Sequence, residues 1–304
     1  MGLRFGLLGT GHWAAETQAA ALAAHPGAEL VGVWGRSPEK AAAVADRYGA
    51  RACTDLDALL ADVDAVAVAL PPDVQADLAL RAARAGKHLL LDKPLAFTTG
   101  AADAVVAEVE ARGLASMVFF TNRFFDGIDA FVRESVERGG WQGARATLFA
   151  SIFRPGNPYG ASPWRRERGG LWDVGPHVLS VVLPVLGPAE AVAAMAGPNG
   201  AVHLLTRHRS GAVGTFSVTL DAPEKALGFE VVLFGEAGRA EVPDGDRSAV
   251  EAFQVAVDRL IAQVEGTPGD PLDVRFGREV VAVLAAAETA LRQGRTVDVP
   301  KAAG

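Results

Sequence analysis

The sequence predicts an α/β protein of two domains. Three observations carry that reading: the length, the alternation of strand and helix patterns through the first 120 residues, and the succession of strand patterns afterwards. At 304 residues the chain exceeds what one hydrophobic core usually serves. Apolar β-like runs at 4–8, 30–34, 52–54, 65–70, 88–91 and 116–119 are separated by apolar residues at helical spacing over 14–24, 37–48, 74–85 and 100–112. Strand and helix in alternation imply a parallel sheet, and right-handed crossovers put helices on both of its faces, so residues 1–121 are expected to form a doubly wound, Rossmann-type domain. Residues 122–304 have a different texture. A helix at 127–138 and a strand-like run at 144–153 lead into a loop rich in Pro, Gly and Arg at 154–168. Four strand-like runs follow at 191–195, 202–206, 214–220 and 229–234, and helical patterns at 248–265 and 275–293 close the chain. Strands in succession suggest an antiparallel sheet and a second domain of α+β type.

Composition restricts the function classes. Half of the residues are hydrophobic and 21% charged, which suffices for a folded core. A formal net charge of −7 argues against a nucleic-acid or anionic-membrane partner, although the local run Arg165-Arg166-Glu167-Arg168 can serve a small anion. Cys53 is the single cysteine, so an intrachain disulfide and a cysteine-based zinc site are excluded and a reducing compartment fits. The start, Met1-Gly2-Leu3-Arg4-Phe5, runs straight into a strand pattern without a leader, and no apolar run reaches the ~20 residues of a membrane span. A cytoplasmic protein is expected, with no bound metal, because no third ligand stands at suitable spacing.

Gly9-Thr10-Gly11-His12-Trp13-Ala14 follows the first strand and opens the first helix. That is the context of a dinucleotide fingerprint, in which the glycines allow close approach of a pyrophosphate and Ala14 keeps the helix close to the strand. Backbone N–H groups at the helix start hold phosphates. At the end of the second strand the sequence reads Val33-Trp34-Gly35-Arg36-Ser37-Pro38-Glu39-Lys40, with no acid to accept from a ribose 2′-hydroxyl. Arg36, Ser37 and Lys40 can instead bind a 2′-phosphate, which favours NADP(H) with NAD(H) as the other possibility. The alternative for this stretch is that Ser37 only caps the next helix and Arg36 is a solvated charge.

Asp92-Lys93-Pro94 ends the fifth strand, at the sheet edge where open α/β folds bind ligands. A lysine there can donate to a substrate oxygen and stabilise charge developing on it. Further on, Gly169-Gly170-Leu171-Trp172-Asp173-Val174-Gly175-Pro176-His177 puts a carboxylate and an imidazole four residues apart where a helix is expected to begin, on one helical face. The alternative is a favourable helix-terminal carboxylate beside a hydrogen-bonded histidine.

Taken in order, the glycine loop, Asp92-Lys93-Pro94 and the 169–177 motif resemble the glucose-fructose oxidoreductase / inositol dehydrogenase / MocA-like (Gfo/Idh/MocA) family. Asn122-Arg123-Phe124, Trp164-Arg165 and the late Gln293-Gly294-Arg295-Thr296-Val297 extend the resemblance over nearly the whole chain. It implies an NAD(P)-dependent dehydrogenase or reductase acting on hydroxyl or carbonyl groups of sugars, inositols or similar small polar molecules. The second domain is then expected to carry an open, mainly antiparallel sheet that builds a homo-oligomer, a dimer or tetramer. By position, Lys93 matches the lysine that contacts the reacting oxygen, and Asp173 and His177 match the substrate-side pair, with His177 the acid/base. Leu70, Pro71 and Pro72 fall on a loop near the cofactor, as do Asp92 and Lys93, and Arg123, Trp164 and Arg165 border substrate and cofactor. The chain departs from the family's common Glu-Lys-Pro at Asp92 and from a common aspartate at Ser180. Two other readings accompany this one: a non-catalytic dinucleotide-binding sensor of the same fold, and a reductase of a non-sugar ketone or imine.

Overall fold

The first sheet is built from runs that are apolar on both faces. In the computed structural model, which describes residues 2–236 and 238–302, these are β1 (Leu3–Leu8), β2 (Ala28–Trp34), β3 (Arg51–Cys53), β4 (Ala65–Val68), β5 (His88–Asp92) and β6 (Ser116–Phe119). They pair in parallel in the order β3-β2-β1-β4-β5-β6. All four residues of β4, Ala-Val-Ala-Val, are buried, as a strand covered on both sides requires. Three of the covering helices start at side-chain caps. Ser37 accepts from the Lys40 N–H ahead of Pro38–Tyr48, Asp55 from Asp57 and Ala58 ahead of Leu56–Asp62, and Thr98 from Ala101 ahead of Thr99–Arg112. The expected helix at 14–24 is a π-helical stretch, Ala14–Ala19, running into Ala20–Ala24.

The domain limits differ from the sequence expectation. One compact unit comprises Met1–Phe124 together with Arg247–Arg278, and the other comprises Phe125–Asp246 and Glu279–Gly304. The reason is the edge strand β6, which would otherwise expose its backbone and one apolar side. Leu272 O accepts from the Val118 N–H at 2.8 Å along that edge. Phe253, on the capping-box helix Ala249–Val264, packs edge-on against Phe119 with ring centres 4.9 Å apart. His25 fixes the same helix: its Nδ1 accepts the Gly27 N–H at 3.0 Å, so Nε2 is the protonated nitrogen and donates to Asp258 at 2.9 Å.

In the second unit, β7 (Trp141–Phe149), β8 (Ala189–Ala196), β9 (Val202–His208), β10 (Val213–Thr219), β11 (Gly228–Gly235), β12 (Gly238–Glu241) and β13 (Val297–Asp298) form a sheet in the order β12-β11-β7-β10-β9-β8-β13. Its pairings are antiparallel except for β7 with β10, which are parallel. The sheet is therefore mainly antiparallel, as expected. The mixed pairing arises because the long excursion through residues 150–186 returns the chain to the sheet at β8, and β10 then lies beside β7. Alternation along β9 and β10 buries Leu204, Thr206, Phe216 and Val218 and leaves Leu205 and Val213 outward, 51% and 43% exposed. Three helices of this unit are Asp126–Arg138, Pro163–Asp173 and Gly175–Leu186. The last two together span 24 residues and hold the one stretch, among the described residues, long and apolar enough to compare with a membrane span; 78% of its most apolar window is buried in the protein, as in a core helix.

Candidate active site

The strand order reverses between β1 and β4, and that switch point opens a cleft at the carboxyl ends of β1, β2 and β4. The cleft has a volume of about 290 Å³ and is lined by Gly9, Thr10 and Gly11 after β1, by Trp34 to Ser37 and Lys40 after β2, and by Ala69 to Pro71 and Val74 after β4. Gly9 has φ +139°, and a β-carbon there would stand 2.6 Å from the Ala69 carbonyl oxygen, so only glycine lets the loop cross so close to β4. At Gly11 a β-carbon would meet nothing within 4 Å, which leaves open space above the loop where a phosphate pair can sit against backbone N–H groups. The residues present thus fit a dinucleotide.

The cleft brings together Gly9, Thr10, Gly11, Arg36, Ser37, Lys40, Leu70 and Pro71, as the sequence reading expected of cofactor-binding residues. It leaves out others on that roster. His12 and Trp13 stand in the first helical turn, His12 exposed and Trp13 with its ring centre 6.4 Å from that of Phe119. Pro72 is buried as the first residue of Pro72–Arg84. Asp92, Lys93 and Arg123 lie elsewhere in the first unit, Arg123 3% exposed on the 3-10 turn Thr121–Phe124. Trp34, Gly35, Ala69 and Val74 line the cleft without having been singled out as cofactor-binding, since small and apolar residues at strand ends carry no local signal of ligand contact.

Ser37 is a helix cap in this structure. Its hydroxyl donates to Glu39 at 2.7 Å and accepts from the Lys40 N–H at 3.3 Å, so its one proton is already engaged. That hydrogen bond also holds the Glu39 carboxyl below its ordinary pKa. Arg36 and Lys40 are exposed, and neither side chain has a hydrogen-bond or ion-pair partner among the described residues.

Lys93 follows β5. The Asp92 side chain is buried and its Oδ1 accepts the Lys93 N–H at 2.8 Å; the Lys93–Pro94 peptide bond is cis. The backbone on either side of Lys93 is held by Gln75, which the sequence did not single out.

In the second unit the 169–177 motif is not the start of one helix. The helix begins earlier, with Pro163 in its first turn, inside the stretch expected to be a loop. It breaks at Gly169 (φ +62°, ψ −159°) and ends at Asp173, and Val174 leads into Gly175–Leu186. Pro176 lacks an N–H for the helical ladder, and His177 N–H bonds the Val174 carbonyl at 3.1 Å instead. Asp173 and His177 therefore belong to successive helices. Gly170 lies on β10, where a β-carbon would come within 2.7 Å of the Thr219 Cα.

Asp173 is 6% exposed and its Oδ2 accepts from Arg165 Nε at 2.9 Å. The Arg165 guanidinium sits over the rings of Trp164 at 4.5 Å and Tyr159 at 5.1 Å. Arg168 pairs with Glu288 at 2.7 Å, and the Trp172 indole N–H donates to the same carboxylate at 3.2 Å. The basic run at 165–168 is thus largely neutralised by carboxylates. His177 is half-buried in the first turn of its helix, and Ser180 Oγ donates to the His177 carbonyl at 2.8 Å. Among the described residues no three His, Cys, Asp or Glu side chains are grouped to hold a metal ion.

Comparison with known proteins adds the following. A family model described as an oxidoreductase family with an NAD-binding Rossmann fold matches residues 3–120, and the model of the GFO/IDH/MocA C-terminal domain matches residues 133–241. The dTDP-3,4-didehydro-2,6-dideoxy-α-D-glucose 3-reductase of Streptomyces antibioticus is 32% identical over 266 residues, covering 82% of this chain and 80% of the relative. The 1,5-anhydro-D-fructose reductase of Ensifer adhaerens is 32% identical over 249 residues, covering 75% and 72%. In fold, the WlbA dehydrogenase from Bordetella pertussis, solved with NADH and UDP-GlcNAcA, superposes with a TM-score of 0.86 at 22% identity over 99% of this chain and 98% of that one.

Proposed function

The chain belongs to the GFO/IDH/MocA family of oxidoreductases, and from that membership we propose that it transfers a hydride between a nicotinamide dinucleotide and a hydroxyl or carbonyl carbon of a sugar, an inositol or a similar small polar molecule. The observation that carries this reading is the cleft at the switch point, built by Gly9 to Gly11 and by the ends of β2 and β4. When bound there, the nicotinamide supplies or accepts the hydride. The protein's own groups do the rest. The Lys93 ammonium, one residue past β5, stabilises negative charge on the reacting oxygen. His177 exchanges the proton of that oxygen, since an imidazole changes charge near neutral pH. Asp173, held by Arg165, acts as a fixed acceptor for substrate hydroxyls. Relatives named as reductases of a dTDP-hexose derivative and of 1,5-anhydro-D-fructose support a sugar as substrate.

Arg36 and Lys40 support NADP(H) over NAD(H), because both are exposed cations at the rim of the cleft and no acid ends β2. Ser37 is removed from that set by its capping role. The outward face of the second sheet, with Met195 73%, Leu205 51%, Val213 43% and Phe234 46% exposed, supports a homo-oligomer assembled through that sheet. The lone Cys53 supports a reducing, cytoplasmic setting.

The test is a panel of myo-inositol, 1,5-anhydro-D-fructose and dTDP- and UDP-sugars, with oxidised or reduced NADP and NAD. Turnover of a panel member is expected. Dinucleotide binding without turnover of any hydroxyl or carbonyl compound would favour a sensor instead.

A further inference from the structure

Gln75 is 1% exposed and lies in the first turn of Pro72–Arg84, the helix that begins directly after Leu70 and Pro71 of the cleft. Its carboxamide is fully engaged with a single segment of chain. Oε1 accepts the Asp92 N–H at 2.9 Å, and the two N–H groups of Nε2 are shared among the carbonyls of Asp92 at 2.7 Å, Pro94 at 3.1 Å and Leu95 at 3.3 Å. The register explains why a side chain is needed there: β4 ends opposite Leu91, one residue short of Asp92. Past that point the fifth strand has lost its neighbour on one side, and buried backbone groups left without partners are costly. A carboxamide presents a donor and an acceptor on one flat group, so Gln75 takes the Asp92 N–H and C=O in the manner of a strand. It then reaches on to Pro94 and Leu95, and Lys93 lies between the anchored points.

We propose that Gln75 is a positioning residue for the reaction. It fixes the backbone from which Lys93 departs and couples that backbone to the helix that starts at the dinucleotide cleft. The proposal rests on the role given above to Lys93, while the order that Gln75 imposes on Asp92–Leu95 is measurable without any substrate.

The experiment uses the full-length chain with Gln75→Met, which keeps length and removes every hydrogen bond, and Gln75→Glu, which keeps shape but replaces the donor by an oxygen. Amide hydrogen exchange read by mass spectrometry is expected to be about tenfold faster over residues 92–95 in Gln75→Met, with β4 and β6 protected as in the wild type. Gln75→Glu is expected to match the wild type at about pH 5, where a buried carboxyl facing carbonyls keeps its proton, and to behave like Gln75→Met at about pH 8. A side chain that merely fills space gives no such pH split, since Gln and Glu are nearly equal in volume. Reduction of 1,5-anhydro-D-fructose by NADPH is expected to lose ~10–100-fold in kcat in Gln75→Met with KM little changed, and to follow the same pH split in Gln75→Glu. Exchange at 92–95 unchanged in Gln75→Met, or loosened equally throughout the sheet, overturns the proposal and leaves the role of Lys93 standing. Lys93→Met separates the two: full turnover in that variant overturns the role of Lys93, and the positioning role with it, even where Gln75 still orders the backbone.

Discussion

Asp173 shows how a single neighbour decides what a residue can do. A carboxylate 6% exposed needs a cation, and Arg165, held over Trp164 and Tyr159, supplies one at 2.9 Å. Arg165→Met takes that cation away from the buried carboxylate and is expected to cost about 3 kcal/mol in thermal unfolding, whereas the double variant with Asp173→Asn recovers most of the loss. Recovery absent from the double variant would mean that Arg165 stabilises through its ring contacts alone. The two residues proposed to act on the reacting oxygen predict a different signature. Lys93→Met and His177→Ala are each expected to lower kcat by ~100-fold or more while dinucleotide affinity, read from quenching of tryptophan fluorescence, stays within about threefold. Arg36→Ala is expected to raise the KM for NADPH about tenfold and to leave that for NADH nearly unchanged. A wild-type KM lower for NADH than for NADPH removes the NADP(H) preference.

Elements in this protein are fixed by contacts at their ends. Gly170 lets the end of Pro163–Asp173 rest on the backbone of β10, with no room for a methyl group over Thr219 Cα. Gly170→Ala is expected to lower stability by about 1–3 kcal/mol, read from the denaturant midpoint, because the clash is with backbone and cannot be relieved by a rotamer change. The end of Gly175–Leu186 is held by side chains of the strand and turn beyond it. Ser210 donates to the Leu186 carbonyl at 2.7 Å, and His208 bonds the Gly187 carbonyl through Nδ1 at 2.6 Å while its Nε2 meets Thr206 Oγ1 at 2.8 Å. Burial pushes the His208 pKa below the ordinary imidazole value, against the opposing pull of the Gly187 carbonyl. His88, whose Nδ1 accepts the Ala115 N–H, is lowered too, first by burial and also by Lys87, with Asp64 opposing. Both histidines protonate near pH ~6.5 when unfolded and only lower when folded, so the unfolded state binds more protons as the pH falls below about 6.5. Thermal stability is expected to be level above that pH in respect of these two groups and to decline below it. His208→Gln is expected to make the decline shallower; an unaltered slope shows that His208 does not contribute.

The first compact unit is completed from a distant stretch of chain, because the ring of Phe253 packs on Phe119 and Leu272 occupies the outer edge of β6. Phe253→Ala is therefore expected to destabilise by about 3–5 kcal/mol the unit that carries the dinucleotide cleft, lowering the temperature at which dinucleotide binding is lost. Unchanged binding up to the wild-type temperature would contradict that assignment of the helix. The sequence by itself determined the six-stranded parallel sheet, the glycine loop and the place of Lys93 after β5, since continuous apolar runs, caps and a loop between strand and helix are local signals read within about ten residues. It also determined that a second sheet follows, although not that β7 and β10 would run parallel. Tertiary structure alone decided that Arg247–Arg278 closes the first unit, that the motif helix breaks at Gly169 and ends at Asp173, that Asp173 pairs with Arg165, and that Gln75 holds the segment around Lys93. Each of these depends on which unpaired backbone group, strand edge or buried charge is left over once the sheets have formed. A glutamine in a helical pattern looks the same in sequence whether it faces water or the unpartnered end of a strand.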